Sequence, residues 1–358
     1  MKTRAIALRA FGSAESLEDL DVEIPDVPLP GMIRVRVRAV ALNHLDVWVR
    51  RGLPGAKLAL PHRLGSDVAG VVEAIGAGVE ETMVTRAGAN VVLAPGVSCG
   101  TCVACLAGRD NLCRRYRILG ENTNGGYAEL LDVPVANVLP MPESLTFVEA
   151  AAIPLTFQTA WQMLVDKARV QPGETVLVHA AGSGVSSAAI QIARLFGARV
   201  IATTSTEAKA ARARELGAHE VIDYVTQDFV AEAKRLTGKR GVDVVIEHVG
   251  GEVFARSLLA LASGGRLVTC GATSGPQPQI DLRHVFFRQL QILGSTMGSK
   301  SVLFPIFDHV RSGALRPIVD RTLPKTADGA RVGARVREAR AGGGGLYKNT
   351  SPPECKEY

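Results

Sequence analysis

TVLVHAAGSGVSSAAIQIARLF, residues 175–196, is the stretch that decides the fold. Its first five residues predict a strand at 175–179, and the following small and apolar residues predict a helix at 185–196. The turn between them, from Ala180 to Ser186, contains only small residues and one valine. At such a turn the backbone can approach an anionic group, which the free N–H groups and the dipole of the next helix attract. The stretch therefore predicts a βα unit with an anion site at its turn.

Strands and helices continue to alternate after this unit. The pattern predicts strands at 199–203, 220–223, 242–248 and 265–270, and helices at 207–216, 229–236 and 253–261. Regular βαβ alternation implies an α/β fold with a doubly wound parallel sheet. The strand at 175–179 is short and apolar, as expected when helices cover both faces of the sheet.

The first part of the chain has the pattern of a β domain. In residues 32–42, Ile33, Val35 and Val37 alternate with arginines, which is the two-residue period of a half-buried strand. Further strands at 68–75, 91–94 and 127–133, separated by glycines and prolines, favour a small barrel-like domain. Thr146 and Glu149 then form a capping box that begins an alanine-rich helix. The predicted boundaries are 1–145 for the β domain and 146–295 for the α/β domain.

Four cysteines lie close together at Cys99, Cys102, Cys105 and Cys113. Four thiolates at the spacing C-x2-C-x2-C-x7-C suit one tetrahedral zinc ion whose ligands all come from the protein, as in structural sites. An iron–sulfur cluster fits less well, because that pattern has a three-residue gap and a proline after the last cysteine. Disulfides are a further alternative, although cysteines at this spacing pair poorly and nothing marks the chain as secreted. The sequence predicts one structural Zn²⁺ in a lobe at residues 96–118.

The turn formed by Gly182, Ser183, Gly184 and Val185 is a candidate dinucleotide site. A glycine-rich turn alone often means only a tight βα connection, and the third small position here is Ser186 rather than glycine. Because the turn follows a strand, precedes a helix and lies within repeated βαβ units, pyrophosphate binding is the favoured interpretation.

The end of the second strand of this domain bears on the choice of cofactor. NAD enzymes usually have an acidic residue there, which binds the ribose 2′-hydroxyl. This chain has Thr203, Thr204 and Ser205, followed by Lys209 and Arg212. Hydroxyls and cations suit a 2′-phosphate, so the sequence favours NADPH over NADH. The alternative is that the two cations only form a solvated helix face.

Composition excludes several classes of protein. The chain has 358 residues, a hydrophobic fraction of 47% and a net charge of +6, with basic residues scattered among acidic ones. Without a basic stripe interleaved with aromatics, nucleic-acid binding is not expected. No apolar run of about 18 residues predicts a membrane span, and the N-terminus lacks the apolar region of a signal peptide. A cytoplasmic protein with a small-molecule substrate is the economical interpretation.

Together these features resemble the medium-chain dehydrogenase/reductase superfamily over about residues 1–325. The cysteine spacing and the order of the domains are the specific points of the resemblance. It implies a GroES-like catalytic domain with a zinc lobe, a Rossmann domain, a return to the catalytic domain at 296–325, and NAD(P)-dependent hydride transfer. It also implies that His248, Gly271 and Ala272 lie near the nicotinamide. Residues 283–293, a predicted helix followed by a strand, would form a homodimer through the edge of the Rossmann sheet.

The end of the chain departs from the family pattern. Residues 326–358 contain a run of glycines and many arginines, with no periodic apolar face. We expect this tail to be disordered or atypical.

Two motifs depart from the zinc alcohol dehydrogenases of this superfamily. Where those enzymes have Cys-His-x-Asp, this chain has Asn43-His44-Leu45-Asp46, and where they have Gly-His-Glu it has Gly65-Ser66-Asp67. Their third ligand falls at Leu155 or Thr156. Neutral oxygens and aliphatic groups are poor zinc ligands, so no standard catalytic zinc is expected. Weak metal binding by His44 with Asp67 is the alternative.

The segment from Ala41 to Gly52 resembles the quinone oxidoreductase branch, which has asparagine at the position of Asn43 and lacks catalytic zinc. Without a metal, hydrogen-bond donors must polarise the substrate, which favours an activated acceptor such as a quinone or an α,β-unsaturated carbonyl. The candidate catalytic residues are Asn43 as amide donor, His44 as donor or proton relay, Asp46 and Trp48. Each has a structural alternative: a ribose contact for His44, a buried loop partner for Asp46 and core packing for Trp48.

Three hypotheses of function follow. The first is an NADPH-dependent reductase of quinones or enones with one structural zinc. The second is a zinc-type alcohol dehydrogenase that acts on alcohols or aldehydes. The third is a structural or regulatory protein that binds NADPH without catalysing a reaction.

Overall fold

A computed structural model describes residues 1–53, 58–331 and 333 of the chain. The strands are β1 (Lys2–Leu8), β2 (Leu17–Glu23), β3 (Met32–Ala41), β4 (His62–Arg63), β5 (Asp67–Ile75), β6 (Asn90–Leu93), β7 (Gly96–Val97), β8 (Arg117–Ile118), β9 (Leu130–Pro134), β10 (Val138–Pro140), β11 (Thr175–Val178), β12 (Arg199–Thr204), β13 (Glu220–Asp223), β14 (Val242–Glu247), β15 (Leu261–Thr269) and β16 (Gln291–Gly294).

The described residues also contain α-helices. They are α1 (His44–Arg51), α2 (Val103–Leu106), α3 (Phe147–Ala151), α4 (Pro154–Trp161), α5 (Gly184–Leu195), α6 (Glu207–Glu215), α7 (Phe229–Leu236), α8 (Gly251–Ala260), α9 (Leu282–Phe287) and α10 (Leu303–Arg311), with a π-helix at Gln162–Lys167 that continues α4. Within the described residues, none of the helices has both the length and the apolar character that crossing a membrane requires.

The α/β domain is built on a six-stranded parallel sheet with the order β13-β12-β11-β14-β15-β16. Its central strand β11 is buried on both faces, and separate apolar clusters cover the two sides. This arrangement confirms the predicted doubly wound sheet. The chain leaves β11 toward β12 and later returns to its other side as β14, so the crevice between β11 and β14, at the carboxyl ends of the strands, is where a ligand is expected.

The N-terminal domain contains the predicted antiparallel β structure. A five-stranded sheet has the order β10-β6-β5-β3-β9, and a smaller sheet has the order β2-β1-β4. On β3, Ile33, Val35 and Val37 are buried as their period predicts. Arg34 is buried as well, because its guanidinium pairs with Asp132 of β9 at 2.8 Å, which side-chain alternation alone does not predict.

The helices that enter the α/β domain begin as the sequence predicts. At the start of α3, the Glu149 amide donates to Thr146 Oγ1 at 3.3 Å, and Glu149 Oε2 accepts from the Thr146 amide at 2.9 Å. Pro154 separates α3 from α4 and is the first residue of α4, where its missing N–H costs nothing. As a result, the first turn of α4, with Leu155 and Thr156, faces the β domain.

The chain returns to the β domain after the parallel sheet. Residues 327–331 are helical, and Ala327 and Ala330 are buried in the cluster that contains Leu17. The Ala327 amide donates to Asp19 at 3.0 Å. The first residues of the tail predicted over 326–358 are thus folded, because small side chains allow a helical turn to pack closely. Residues 332 and 334–358 lie outside the described residues, and the domain boundaries stay a prediction.

Candidate active site and metal centre

The four cysteines converge in the lobe between β7 and β8. Their sulfur atoms all lie within 4.8 Å of one another, with Cys99 to Cys105 at 3.8 Å and Cys102 to Cys105 at 3.6 Å. Four thiolates around one zinc would be separated by about 3.8 Å, given Zn–S bonds of about 2.3 Å. The cysteines are free, and these separations are far above the roughly 2.05 Å of a disulfide.

Local hydrogen bonds favour a thiolate at one of the four cysteines, Cys99. Backbone N–H groups at Thr101 and Cys102 lower the pKa of the Cys99 thiol to about 5, which favours the thiolate that binds metals. Of the described residues, only this cluster brings three or more candidate side chains together as a metal site. The residues therefore fit a resident tetrahedral ion.

A cavity of about 480 Å³ lies between the two domains at the carboxyl ends of the parallel strands. Most of the predicted cofactor residues line it, and so do three of the predicted catalytic residues. They are Gly182, Ser183, Gly184, Val185, Thr203, Thr204, Ser205, Lys209, His248 and Gly271, with Asn43, His44 and Trp48. Ala272 and Asp46 are not part of this wall. Ala272 instead packs beside Gly250, where any side chain on the glycine would meet it.

The glycine turn forms a shallow cradle at the start of α5. A Cβ at position 184 would lie 2.8 Å from the Thr156 methyl, and one at 182 would lie 3.1 Å from Cδ of Lys209. The Ser183 side chain caps the helix by accepting from the Ser186 amide at 3.1 Å. This leaves a close backbone approach at a helix N-terminus, which fits the pyrophosphate of a dinucleotide.

His248 holds this turn from the end of β14. The Ser186 hydroxyl donates to the His179 carbonyl at 2.6 Å, so His248 Nε2 is the donor to Ser186 Oγ at 2.9 Å. Desolvation lowers the pKa of His248 to about 4 and that of the buried His179 to about 3. Both rings are thus neutral near pH 7, and His248 connects β14 to the cradle by a hydrogen bond rather than by charge.

At the other end of the cavity, β12 carries hydroxyls and the following helix α6 carries a cation. Thr203 Oγ1 accepts from the Ala180 amide at 3.2 Å, so this hydroxyl also supports the turn. Ser205 and Lys209 are more accessible, and Lys209 makes no ion pair within the described part of the chain. Arg212 is paired with Glu215 at 2.8 Å. Lys209 is therefore the cation available to an anionic group bound here.

Where a catalytic metal would be held in zinc alcohol dehydrogenases, this chain has a hydrogen-bond network. The Asn43 amide donates to Asp67 Oδ2 at 2.8 Å, and the Leu155 backbone N–H donates to Asp67 Oδ1 at 2.8 Å. The Ser66 hydroxyl is fully buried beside them. Both Asp67 oxygens thus accept hydrogen bonds from N–H donors, and the carboxylate joins α1, β5 and α4.

Asp46 has a structural position. Its carboxylate accepts from the Asn43 backbone N–H at 2.7 Å and from the Gly65 backbone N–H at 2.9 Å, and the side chain is buried. This geometry favours the buried loop partner of the two alternatives that the sequence left open, a positioning residue that ties together the loops carrying Asn43 and Asp67. Trp48 lines the cavity with its ring edge-on to His44, 4.9 Å between centroids.

Several cavity residues were not singled out from the sequence. Tyr224 and Ser274 come from loops after β13 and β15, while Glu121, Ile118 and Met297 come from the cysteine lobe and from the segment after β16. None of them belongs to a short motif, because each reaches the cavity only through the packing of distant segments. The acidic Glu121, in a loop of glycines and asparagines, was the one detectable signal.

Comparisons with known proteins agree with this geometry. Residues 29–143 match the family model described as "Alcohol dehydrogenase GroES-like domain", and residues 184–311 match "Zinc-binding dehydrogenase". The chain is 30% identical to the quinone oxidoreductase of Homo sapiens over 83% of its length and 81% of the relative. It is 31% identical to an NAD-dependent alcohol dehydrogenase of Saccharolobus solfataricus over 89% and 90%. A crystal structure of an NAD-dependent alcohol dehydrogenase superposes with a TM-score of 0.89 at 54% identity, covering 94% of this chain and 96% of the other.

Proposed function

This chain belongs to the medium-chain dehydrogenase/reductase superfamily and is an oxidoreductase, and we propose that it transfers a hydride from NADPH to a quinone or an α,β-unsaturated carbonyl compound. Three features support the proposal: the cradle at Gly182 and Gly184, the accessible Lys209 beside β12, and the similarity to quinone oxidoreductases. Because the relatives are enzymes, the hypothesis of a structural or regulatory NADPH-binding protein is the least economical of the three.

The observation on which the choice of substrate depends is the network around Asp67. Its two oxygens accept hydrogen bonds from Asn43 and from the Leu155 backbone, in the place where a catalytic metal would be coordinated. One such donor stabilises developing negative charge by about 3–4 kcal/mol and carries no full positive charge of its own, unlike a metal ion. An acceptor that already delocalises charge onto oxygen is therefore the best match.

The residues of the cavity have distinct roles in this proposal. NADPH supplies the hydride when it is bound. Gly182 and Gly184 hold the phosphates, and Lys209 binds the 2′-phosphate. Asn43 retains a second amide N–H, beyond the one that Asp67 accepts, to donate to the acceptor oxygen. His44, held against Trp48, donates to the same oxygen or relays a proton from solvent.

The cysteine lobe completes the proposal with one structural zinc. The four sulfurs would fill all positions around the ion, which leaves none for substrate. Zinc would thus stabilise the lobe, and the chemistry would take place in the separate interdomain cavity.

One experiment separates this function from its main alternative. Zinc per chain is measured on the purified protein after exhaustive dialysis, and NADPH and NADH oxidation are then followed with a panel of quinones and enones. We expect one zinc per chain and turnover with NADPH. Two zinc ions per chain and activity only on alcohols would overturn the proposal.

A second function is favoured by one specific finding. The structure that is 54% identical to this chain is that of an NAD-dependent alcohol dehydrogenase. Alcohol oxidation with NAD is therefore the second candidate, and in that case His44 and Asp67 would need to hold a metal. The same panel, extended to primary and secondary alcohols with NAD, distinguishes the two.

The proposal extends to the assembly and the location of the protein. The edge strand β16 and the exposed rings of Phe286 and Phe287 on α9 would be covered in a homodimer formed through the sheet edge. Size-exclusion chromatography with light scattering tests this: F287E should give monomers. A cytoplasmic location and the absence of nucleic-acid partners stay predictions.

A further inference from the structure

The loop that follows β8 points an acidic residue at the active-site cavity. This loop, residues 118–123, is tightly fixed by its own backbone. The amides of Glu121 and Asn122 both donate to the Ile118 carbonyl at 3.1 Å, and the Ile118 amide donates to Asn122 Oδ1 at 3.0 Å. The Gly120 amide donates to the Thr123 carbonyl at 2.8 Å. The backbone of Glu121 is therefore held in one place by the loop.

Residues of the β domain also contact this loop and fix its position. His62 Nε2 donates to the Gly120 carbonyl at 3.1 Å, and burial lowers the pKa of His62 so that its ring is neutral. Gly120 has φ of +78°, and a Cβ there would lie 2.6 Å from the Gly65 nitrogen. Only glycine fits at this position, because the loop passes directly over the segment that leads to Asp67. The geometry of the loop is thus coupled to that of the catalytic domain.

Glu121 is the one carboxyl among the described residues that line the 480 Å³ cavity. Around it are the apolar Ile118, Leu155 and Met297, which form a small buried cluster of their own. Glu121 Oε1 accepts a hydrogen bond from Asn122 Nδ2 at 3.2 Å, and the other oxygen has no partner in the described part of the chain. Burial raises the pKa of Glu121, which favours the protonated acid in this apolar setting.

We infer that Glu121 is the general acid of the reaction, donating its carboxyl proton to the carbanionic α-carbon of the enolate formed when an α,β-unsaturated carbonyl compound accepts hydride. This inference rests on the proposed function. In the step, the O–H bond of Glu121 breaks and a C–H bond forms with the electron pair of the enolate. The carboxylate that remains is reprotonated from solvent through the open cavity. Asn43 and His44 bind the oxygen of the same enolate, so charge stabilisation and protonation come from different residues of the same cavity.

The assignment also gives the cysteine lobe a part in the reaction. The lobe docks on the segment after β16, where Asp110 accepts from the Ser299 hydroxyl at 2.7 Å and from the Lys300 amide at 3.0 Å. Ile118 and Glu121 lie immediately after the last cysteine-bearing turn of the lobe. The lobe therefore places the proton donor, although its metal would not touch the substrate.

The test compares E121Q with the matched variant E129Q, which removes an exposed carboxyl eight residues further along the chain. NADPH-dependent reduction of a cyclic enone is measured at saturating and limiting substrate. Loss of a general acid typically costs about 10²- to 10⁴-fold, so we expect kcat of E121Q to fall at least a hundredfold with KM changed less than threefold. E129Q should match the wild type.

A binding measurement on the apoprotein supplies a second readout. Trp48 lines the cavity, so quenching of its fluorescence by the enone reports binding without cofactor. We expect the Kd of E121Q to stay within threefold of the wild-type value. The melting temperature and the zinc content of each variant are measured first. E121D, which keeps a carboxyl group at this position, is measured as well. It should retain an intermediate kcat, so the inference can be tested even if E121Q fails to fold.

The outcomes separate this inference from the proposed function. If the wild type reduces enones and E121Q does so at the same kcat, Glu121 is not the acid. An equal rise in KM and Kd with unchanged kcat would make it a binding group only and would also overturn the inference. If the wild type reduces neither enones nor quinones, the proposed function fails and the role of Glu121 fails with it.

Discussion

The preference for NADPH can be tested through one side chain, Lys209. It lies on the first turn of α6, its aliphatic part passes over the glycine turn, and it makes no ion pair in the described part of the chain. Replacing it with alanine removes the cation but keeps a good helix former, so the fold should be unaffected. If Lys209 binds the 2′-phosphate, K209A should weaken NADPH much more than NADH.

The magnitude follows from the exposure of the site. Lys209 is exposed, so the dielectric around it is close to that of water, and two unit charges about 4 Å apart interact with about 1 kcal/mol. A phosphate monoester carries a charge near −2 at pH 7, so the contact contributes about 2 kcal/mol. This corresponds to a loss of about thirtyfold in NADPH affinity, with less than a threefold change for NADH. Raising the salt concentration should reduce the difference, because the contact is screened.

The assay is titration of each variant with NADPH and NADH, followed by cofactor fluorescence. R212A is the matched control: Arg212 is one turn further along α6 but is paired with Glu215, so its loss should cost less than fivefold. Equal weakening of both cofactors in K209A would refute the reasoning, since it would place Lys209 at the pyrophosphate instead. A wild-type protein that binds NADH more tightly than NADPH would refute it outright.

Three further predictions concern stability. C102S should reduce bound zinc from one ion per chain to a small fraction and lower the melting temperature; unchanged zinc content by elemental analysis would contradict the assigned centre. D67A should lower the free energy of unfolding by about 2–5 kcal/mol, because two buried N–H groups lose their acceptor. D320A, at the exposed Asp320, should change the free energy of unfolding by less than about 1 kcal/mol. Urea denaturation measures both variants. The stability contributed by His248 and His179 should be fully retained above pH 6.5 and should fall as the pH decreases toward 4. Their folded-state pKa values, about 4 and about 3, lie below the unfolded value near 6.5, so the unfolded chain binds more protons in that interval. H248Q should therefore reduce the pH dependence of the urea midpoint, and an identical dependence would contradict this origin.

Local sequence patterns were sufficient for most strands and helices of the α/β domain and for the small-residue turn at the start of α5. The strand–turn–helix from Thr175 to Phe196 predicted the central strand and α5 to within a few residues, since short buried strands and small-residue turns have strong local signatures. The cysteine centre was equally accessible, because all four ligands lie within fifteen consecutive residues, from Cys99 to Cys113. In each case the residues that act together are close in sequence.

The parts that were missed depend on contacts between distant segments. Glu121 and Met297 meet in one cavity although 176 positions separate them, and no periodicity connects them. Arg34 was grouped with solvent-facing arginines, but a single carboxylate, Asp132, pairs with it and buries it. For Asp46 the sequence left a catalytic role and a buried loop partner as alternatives, and only the folded chain shows that its carboxylate is turned toward two backbone amides. Side-chain direction at such positions is decided by tertiary packing.

The network around Asp67 gives Asn43 a structural role in this fold. A buried carboxylate is destabilising by several kcal/mol unless donors satisfy its oxygens. The Asn43 side-chain amide and the Leu155 backbone N–H are two such donors to Asp67, and they connect the two domains through the same carboxylate. Asn43 thus has a structural reason to be there that does not depend on its proposed role toward the substrate. It follows that a thiol at position 43 would remove one of these two donors from Asp67, and the cost would fall on the packing between the domains as well as on any chemistry in the cavity.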